Sequence, residues 1–248
     1  MKNNLKHAIF SLMVLGIVCS FATFAGAVTI DLVDGDWANP TFNYAGTYNT
    51  TNNSGTTGGL STIYWGVAAS NGGQSGYKFK SVVTPFSPVT DGSVFALGDF
   101  THVNMPIYAG GQGITGAGSL TSIDLLLNLG ISGLSPFNVT FAFTHDETTN
   151  IDNNPTASRD IVTLVNPIVN KEFTDGFNNY YFNLFGFSQD NGNTISDQFY
   201  TWESNINIAT LYGKITSRPI TQTPEPATML LLGLGLLGLA GAGRKFKK

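Results

Sequence analysis

The sequence predicts an all-β protein, an antiparallel β-sandwich of jelly-roll-like kind, with a closed barrel as the alternative. Three observations predict it. Charged residues make up only 11% of the 248-residue chain, against about a quarter in ordinary globular domains. Gly, Asn, Thr and Ser stand in their place, whereas helices draw on Ala, Leu, Glu and Lys. Nine stretches between residues 28 and 215 have strand character, and turn-forming pairs separate many of them. The 18 Phe suffice for the core of one domain of about 190 residues. The 29 Gly follow no three-residue period, which excludes collagen.

In chain order, residues 1–27 come first, as an export signal. Lys2 and Lys6 precede an apolar run, and Ala25-Gly26-Ala27 fits the small-residue cleavage rule, with Val28 as the mature start. An uncleaved anchor is the alternative. The single Cys19 lies inside that run, after Val18, where a lipoprotein site wants a small residue. The mature chain is therefore expected to have no cysteine and no disulfide.

The exported domain is expected over 28–220. "VTIDLV" (28–33) opens it, followed by "TIYWGV" (62–67), "YKFKSVV" (77–83), "SVFALGDF" (93–100) and "SIDLLLNL" (122–129). In "FNVTFAF" (137–143), Phe137, Val139, Phe141 and Phe143 share one face, the two-residue period of a half-buried strand. "DIVTLV" (160–165), "NYYFNLFGF" (179–187) and "INIATLYGKI" (206–215) complete the set. Asp91-Gly92, Asp175-Gly176 and Asn191-Gly192 read as turns. The polar run "NTTNNSGTTGG" (49–59) reads as a loop, as does the Gly-rich stretch 104–119, whose glycines lack the following helix of a phosphate-binding loop.

Charge excludes one class of partner. Residues 28–222 hold six basic and 15 acidic residues, about −9. With no basic stripe, nucleic acid is set aside.

Residues 221–248 read as a sorting signal. The stretch 227–243 is uncharged and rich in Leu, Gly and Ala, near the lower length limit for a transmembrane helix. Pro224 and Pro226 fix where such a helix starts. Arg244, Lys245, Lys247 and Lys248 form a basic clamp that the positive-inside rule keeps in the cytoplasm.

Pro224-Glu225-Pro226, the Leu/Gly-rich helix and the terminal cations together resemble the PEP-CTERM sorting signal of Gram-negative bacteria. That resemblance implies export past signal peptidase, a transient membrane anchor, and removal of the tail by the membrane enzyme exosortase. A second resemblance covers most of the mature chain. "YWGVAASNGGQSGYKF" (64–79), "LGDFTHVNMPI" (97–107), "FTHDETTN" (143–150), "DIVTLVN" (160–166) and "WESNINIATLYGKI" (202–215) resemble the choice-of-anchor K domain. It implies placement at the cell surface and brings no catalytic residues.

Chemistry is sparse. His102 and His145 each follow a Phe-Thr pair. No Cys, no His-Glu-x-x-His and no Gly-x-Ser-x-Gly accompanies them, so neither zinc nor a serine nucleophile is signalled. The expectation is no enzyme and no catalytic residue. Asp146, Glu147 and Asp152, with Asn150, place oxygen ligands close together at a strand end, a possible calcium loop without EF-hand spacing; a solvated turn is the alternative. Trp37, Trp65 and Trp202 could stack on sugar rings, with core burial expected for Trp65 and Trp202. Three functions follow: a non-catalytic surface or extracellular-matrix protein, an exopolysaccharide-binding module, or an exported hydrolase acting through paired carboxylates.

Overall fold

The computed structural model describes residues 28–52, 58–108, 110, 113–151, 153–165, 171–220 and 231–239. Twelve strands are defined there: β1 (Ile30–Phe42), β2 (Tyr48–Thr51), β3 (Leu60–Trp65), β4 (Ser75–Ser81), β5 (Asp91–Asn104) and β6 (Leu120–Ile131), then β7 (Phe137–Asp146), β8 (Asp160–Leu164), β9 (Lys171–Thr174), β10 (Asn178–Ser188), β11 (Gln198–Thr201) and β12 (Asn205–Pro219). They form two antiparallel sheets. One has five strands in the order β1-β6-β7-β8-β11, the other seven in the order β2-β3-β4-β5-β12-β10-β9.

The sheets curl into a half-barrel around one apolar core. Register shifts mark the curl, as at Leu184/Gly186 of β10 and Leu211/Tyr212 of β12, because an extra residue bends a strand and increases its twist. Aromatic rings join the layers. Trp37 of β1 meets Phe100 of β5 edge-on at 5.5 Å, and Phe100 meets Phe143 of β7 at 5.3 Å. The Trp37 indole N–H donates to the Ser61 carbonyl at 3.2 Å, so this buried ring leaves no unmet donor. Gly35 allows the close approach of β1 to β4: a Cβ there would lie 2.6 Å from the Phe79 ring.

All nine expected strand stretches are strands. In β7 the register is as the alternation predicts, with Val139, Phe141 and Phe143 buried and Asn138 and Thr144 exposed. Three strands lack a clear signal in the sequence: β2, β9 and β11. Each has four residues and lies at a sheet edge. β2 overlaps the start of the stretch read as a loop, 49–59. Asp91-Gly92, read as a turn, opens β5, with Gly92 at φ 95°. Asn191-Gly192 is a turn, both residues having positive φ, which Asn and Gly tolerate.

The predicted tail is described only over 231–239, a short helix whose leucines are exposed. No helix among the described residues is long and apolar enough to cross a membrane. The cleavage residues Ala25 and Ala27, the motif Pro224-Glu225-Pro226 and the clamp Arg244, Lys245, Lys247 and Lys248 lie outside the described residues.

Candidate metal centre

Burial, not sequence motif, marks the site. His102 is on β5 in the seven-stranded sheet; His145 is on β7 in the five-stranded sheet. In each "FTH" the Phe and the His share strand parity, so a strand that buries Phe100 or Phe143 also carries His102 or His145 into the interior. The two rings meet edge-to-face, 5.1 Å between centroids. Asp160 opens β8 on the same face as Val162 and Leu164 and is fully buried. His102, His145 and Asp160 each bring one possible ligand atom within 4.8 Å of the others. Glu147, just past β7, and Glu203, in the turn before β12, form a second such group with Asp160.

Each inward group is held from behind. His102 Nδ1 lies 2.8 Å from the Thr201 hydroxyl. That hydroxyl donates to the Asp160 carbonyl at 3.4 Å and accepts from the Asn104 amide at 3.5 Å. Its single proton being used, it accepts from His102 Nδ1–H, which leaves a lone pair on Nε2. Tyr77 holds His145 through a hydrogen bond between its hydroxyl and Nδ1. Asp160 Oδ1 accepts from the Thr148 amide at 2.9 Å and its hydroxyl at 3.3 Å. His145 Nε2 lies 3.3 Å from Glu147 Oε2 and 4.0 Å from Asp160 Oδ2. Among the buried side-chain atoms without a hydrogen-bond partner in the described residues are His102 Nε2 and Asp160 Oδ2, together with Trp65 Nε1, Asn104 Oδ1 and both carboxylate oxygens of Glu203.

The electrostatics reflect a shortage of positive charge. Burial, then the charge of Glu147, pushes the Asp160 carboxyl up to about 8, with Glu203 adding to the effect and Thr148 opposing it. Burial and Glu147 also raise Glu203 above the usual carboxylate range, against the pull of Asn150 and the Ser204 backbone. Burial, reinforced by His145, drives His102 well below the usual imidazole value, so it stays neutral. Burial, then Asp160 and Glu147, keeps the Tyr77 phenol protonated by raising it well above its ordinary value. Neutral imidazoles beside acids carrying free lone pairs can bind a cation.

The residues singled out in the sequence are divided by the fold. Glu147 joins the cluster, Asp146 is exposed at the end of β7, and Asp152 lies outside the described residues. Asp160, Glu203, Tyr77 and Thr201 carried no signal in a motif search, because they are scattered over 120 residues of chain. The available signal was parity: a His or Asp on the core-facing side of a strand is rare unless it is partnered. Of the tryptophans, Trp65 is buried as expected and packs against both histidines. Trp37 is buried too. Trp202 corrects the expectation: it follows β11 and is 44% exposed, because Thr201 takes the inward position. Tyr200 and Trp202 flank Arg159, whose guanidinium lies 5.0 and 5.1 Å from their ring centres.

Comparison with known proteins adds the tail. Residues 222–245 match the family model described as the PEP-CTERM protein-sorting motif. No curated protein matches the chain. The motif implies processing by exosortase, a membrane enzyme, and indicates export with a transient membrane anchor before the envelope or surface. The match covers the tail and not the β domain.

Proposed function

We propose that the chain is a non-catalytic component of the cell surface or extracellular matrix, with a sandwich of choice-of-anchor K type as its exported cargo. The observation that carries this reading is the sorting motif at 222–245, placed directly after a folded β domain. An export signal at one end and a removable anchor at the other serve delivery, whatever the cargo does. Of the candidate metal cluster, His102, His145 and Asp160 are buried between the sheets, while Glu147 and Glu203 are partly exposed at its edge. The test is fractionation of producing cells expressing the chain with and without residues 222–248. The intact chain should reach the surface or medium, and the shortened one should accumulate in the periplasm. Equal distribution of the two would overturn the reading.

A second reading, exopolysaccharide binding, is favoured by the exposed Tyr200 and Trp202 beside Arg159. Aromatic faces with an adjacent donor suit sugar rings. In that case Trp202→Ala should weaken affinity for isolated exopolysaccharide about tenfold, by the usual worth of a stacked ring. Turnover of a glycan that is lost on a single carboxylate substitution would replace both readings with a hydrolase.

A further inference from the structure

We propose that His102, His145, Asp160 and Glu147 form a structural zinc site that clips the two sheets together. The ligand set argues for the ion. Imidazole nitrogen suits zinc and its transition-metal neighbours, whereas calcium and magnesium take oxygen alone. Two histidines and two carboxylates complete a tetrahedron with no open position, the pattern of a structural site.

The spacing is right for it. Tetrahedral zinc with bonds of about 2.0–2.2 Å separates its ligand atoms by roughly 3.3–3.6 Å. His145 Nε2 and Glu147 Oε2 are already 3.3 Å apart, and Asp160 Oδ2 is 4.0 Å from the same nitrogen. Side-chain movements of about 1 Å close the remaining gaps among His102, His145 and Asp160, whose ligand atoms lie within 4.8 Å of one another; Glu147 groups instead with Asp160 and Glu203 and reaches the site through its 3.3 Å contact with His145.

Independent of spacing, two of the unpartnered buried atoms are ones a metal needs. His102 Nε2 and Asp160 Oδ2 belong to fully buried side chains and make no hydrogen bond among the described residues. Left so, a buried polar atom costs about 1–3 kcal/mol, and a second such atom beside it is hard to explain by packing. Their other polar atoms are tied to Thr201 and Thr148, the outer contacts that orient metal ligands. Tyr77 does the same for His145. The ligands come from both sheets, His102 from one and the other three from β7, β8 and the loop between them. The chain after Cys19 has no cysteine, so nitrogen and oxygen ligands provide a cross-link that disulfides cannot.

The test starts from the full chain, solubilised in detergent and purified without metal-affinity resin. Elemental analysis should find about one zinc per chain. Chelation should lower the melting temperature by about 5–10 °C and added zinc should restore it, as expected for a ligand far above its Kd. His145→Gln and Asp160→Asn should lose the zinc response. Because these buried substitutions can impair folding, Glu147→Gln, at a half-exposed position, provides a milder variant and should weaken zinc at least tenfold. Cobalt replacing zinc in the wild type should give the intense visible bands of a four-coordinate ion. A melting temperature indifferent to chelator and zinc would overturn the proposal. So would a weak six-coordinate cobalt spectrum, zinc uptake unchanged in Glu147→Gln, or a calcium response equal to that of zinc.

Discussion

Asp190 and Ser188 together hold the turn after β10. Asp190 Oδ1 accepts from the Ser188 hydroxyl at 2.7 Å and the Thr194 amide at 2.9 Å, on either side of Asn191-Gly192. These bonds, the Thr194 amide first and Ser188 next, hold its carboxyl below the usual carboxylate range. A depressed folded value contributes stability above the unfolded value near 4, and that contribution is lost as pH falls through the folded one. Asp190→Asn should therefore melt below wild type at about pH 7 and approach it at about pH 3. Thermal melts at the two pH values check this; a constant gap would mean that the charge plays no part. The turn was legible because Asn-Gly carries its own conformational reason. The candidate metal centre was only half legible. His102 and His145 stood out as residue types, and the strand rule correctly sends Asp146 away from His145. Glu147, two residues after His145, shares its parity and keeps the inward side one residue past the end of β7. Asp160 and Glu203 arrive from separate strand ends, and only the assembled sheets bring them near.

At the scale of elements, the long strands were legible, the edge strand β1 included, and the four-residue edges were not. An internal strand such as β7 must present a continuous apolar face, so its period is written into the sequence. A four-residue edge such as β2, exposed along its length, pairs on one side only and needs no such face. β9 likewise alternates between half-buried and exposed positions and reads as polar chain. The register of β7 can be tested by paired substitutions. Phe141→Asp places a charge in the core and removes a ring whose loss alone costs about 3–5 kcal/mol. Asn138→Asp lies on the outer face of the same strand, where a substitution moves stability by about 0.5 kcal/mol or less. The first should abolish cooperative folding and the second should leave the melting temperature near wild type. Similar behaviour of both would shift the strand by one residue.

For the whole molecule, the β domain holds its own core, and the sorting motif follows it at 222–245. The ring contacts across the sheets lie entirely within residues 28–220, and so does the apolar core. A chain cut to 28–221 should give a β-dominated far-ultraviolet circular dichroism spectrum and a cooperative melt unaffected by reductant, since it contains no cysteine. A helical spectrum or a reductant-sensitive melt would contradict that division. The C-terminal end was legible for a different reason from the core. Membrane and processing machinery read length, apolarity and charge directly from the extended chain, so the motif at 222–245 is visible without any fold. The measurement that bears most directly on delivery is the intact mass of the protein released from the surface of a producing cell. The account predicts a chain beginning at Val28 and ending near Pro226, without the Leu/Gly-rich stretch or the final cations. Recovery outside the membrane of a chain that still carries Arg244 to Lys248 would contradict it.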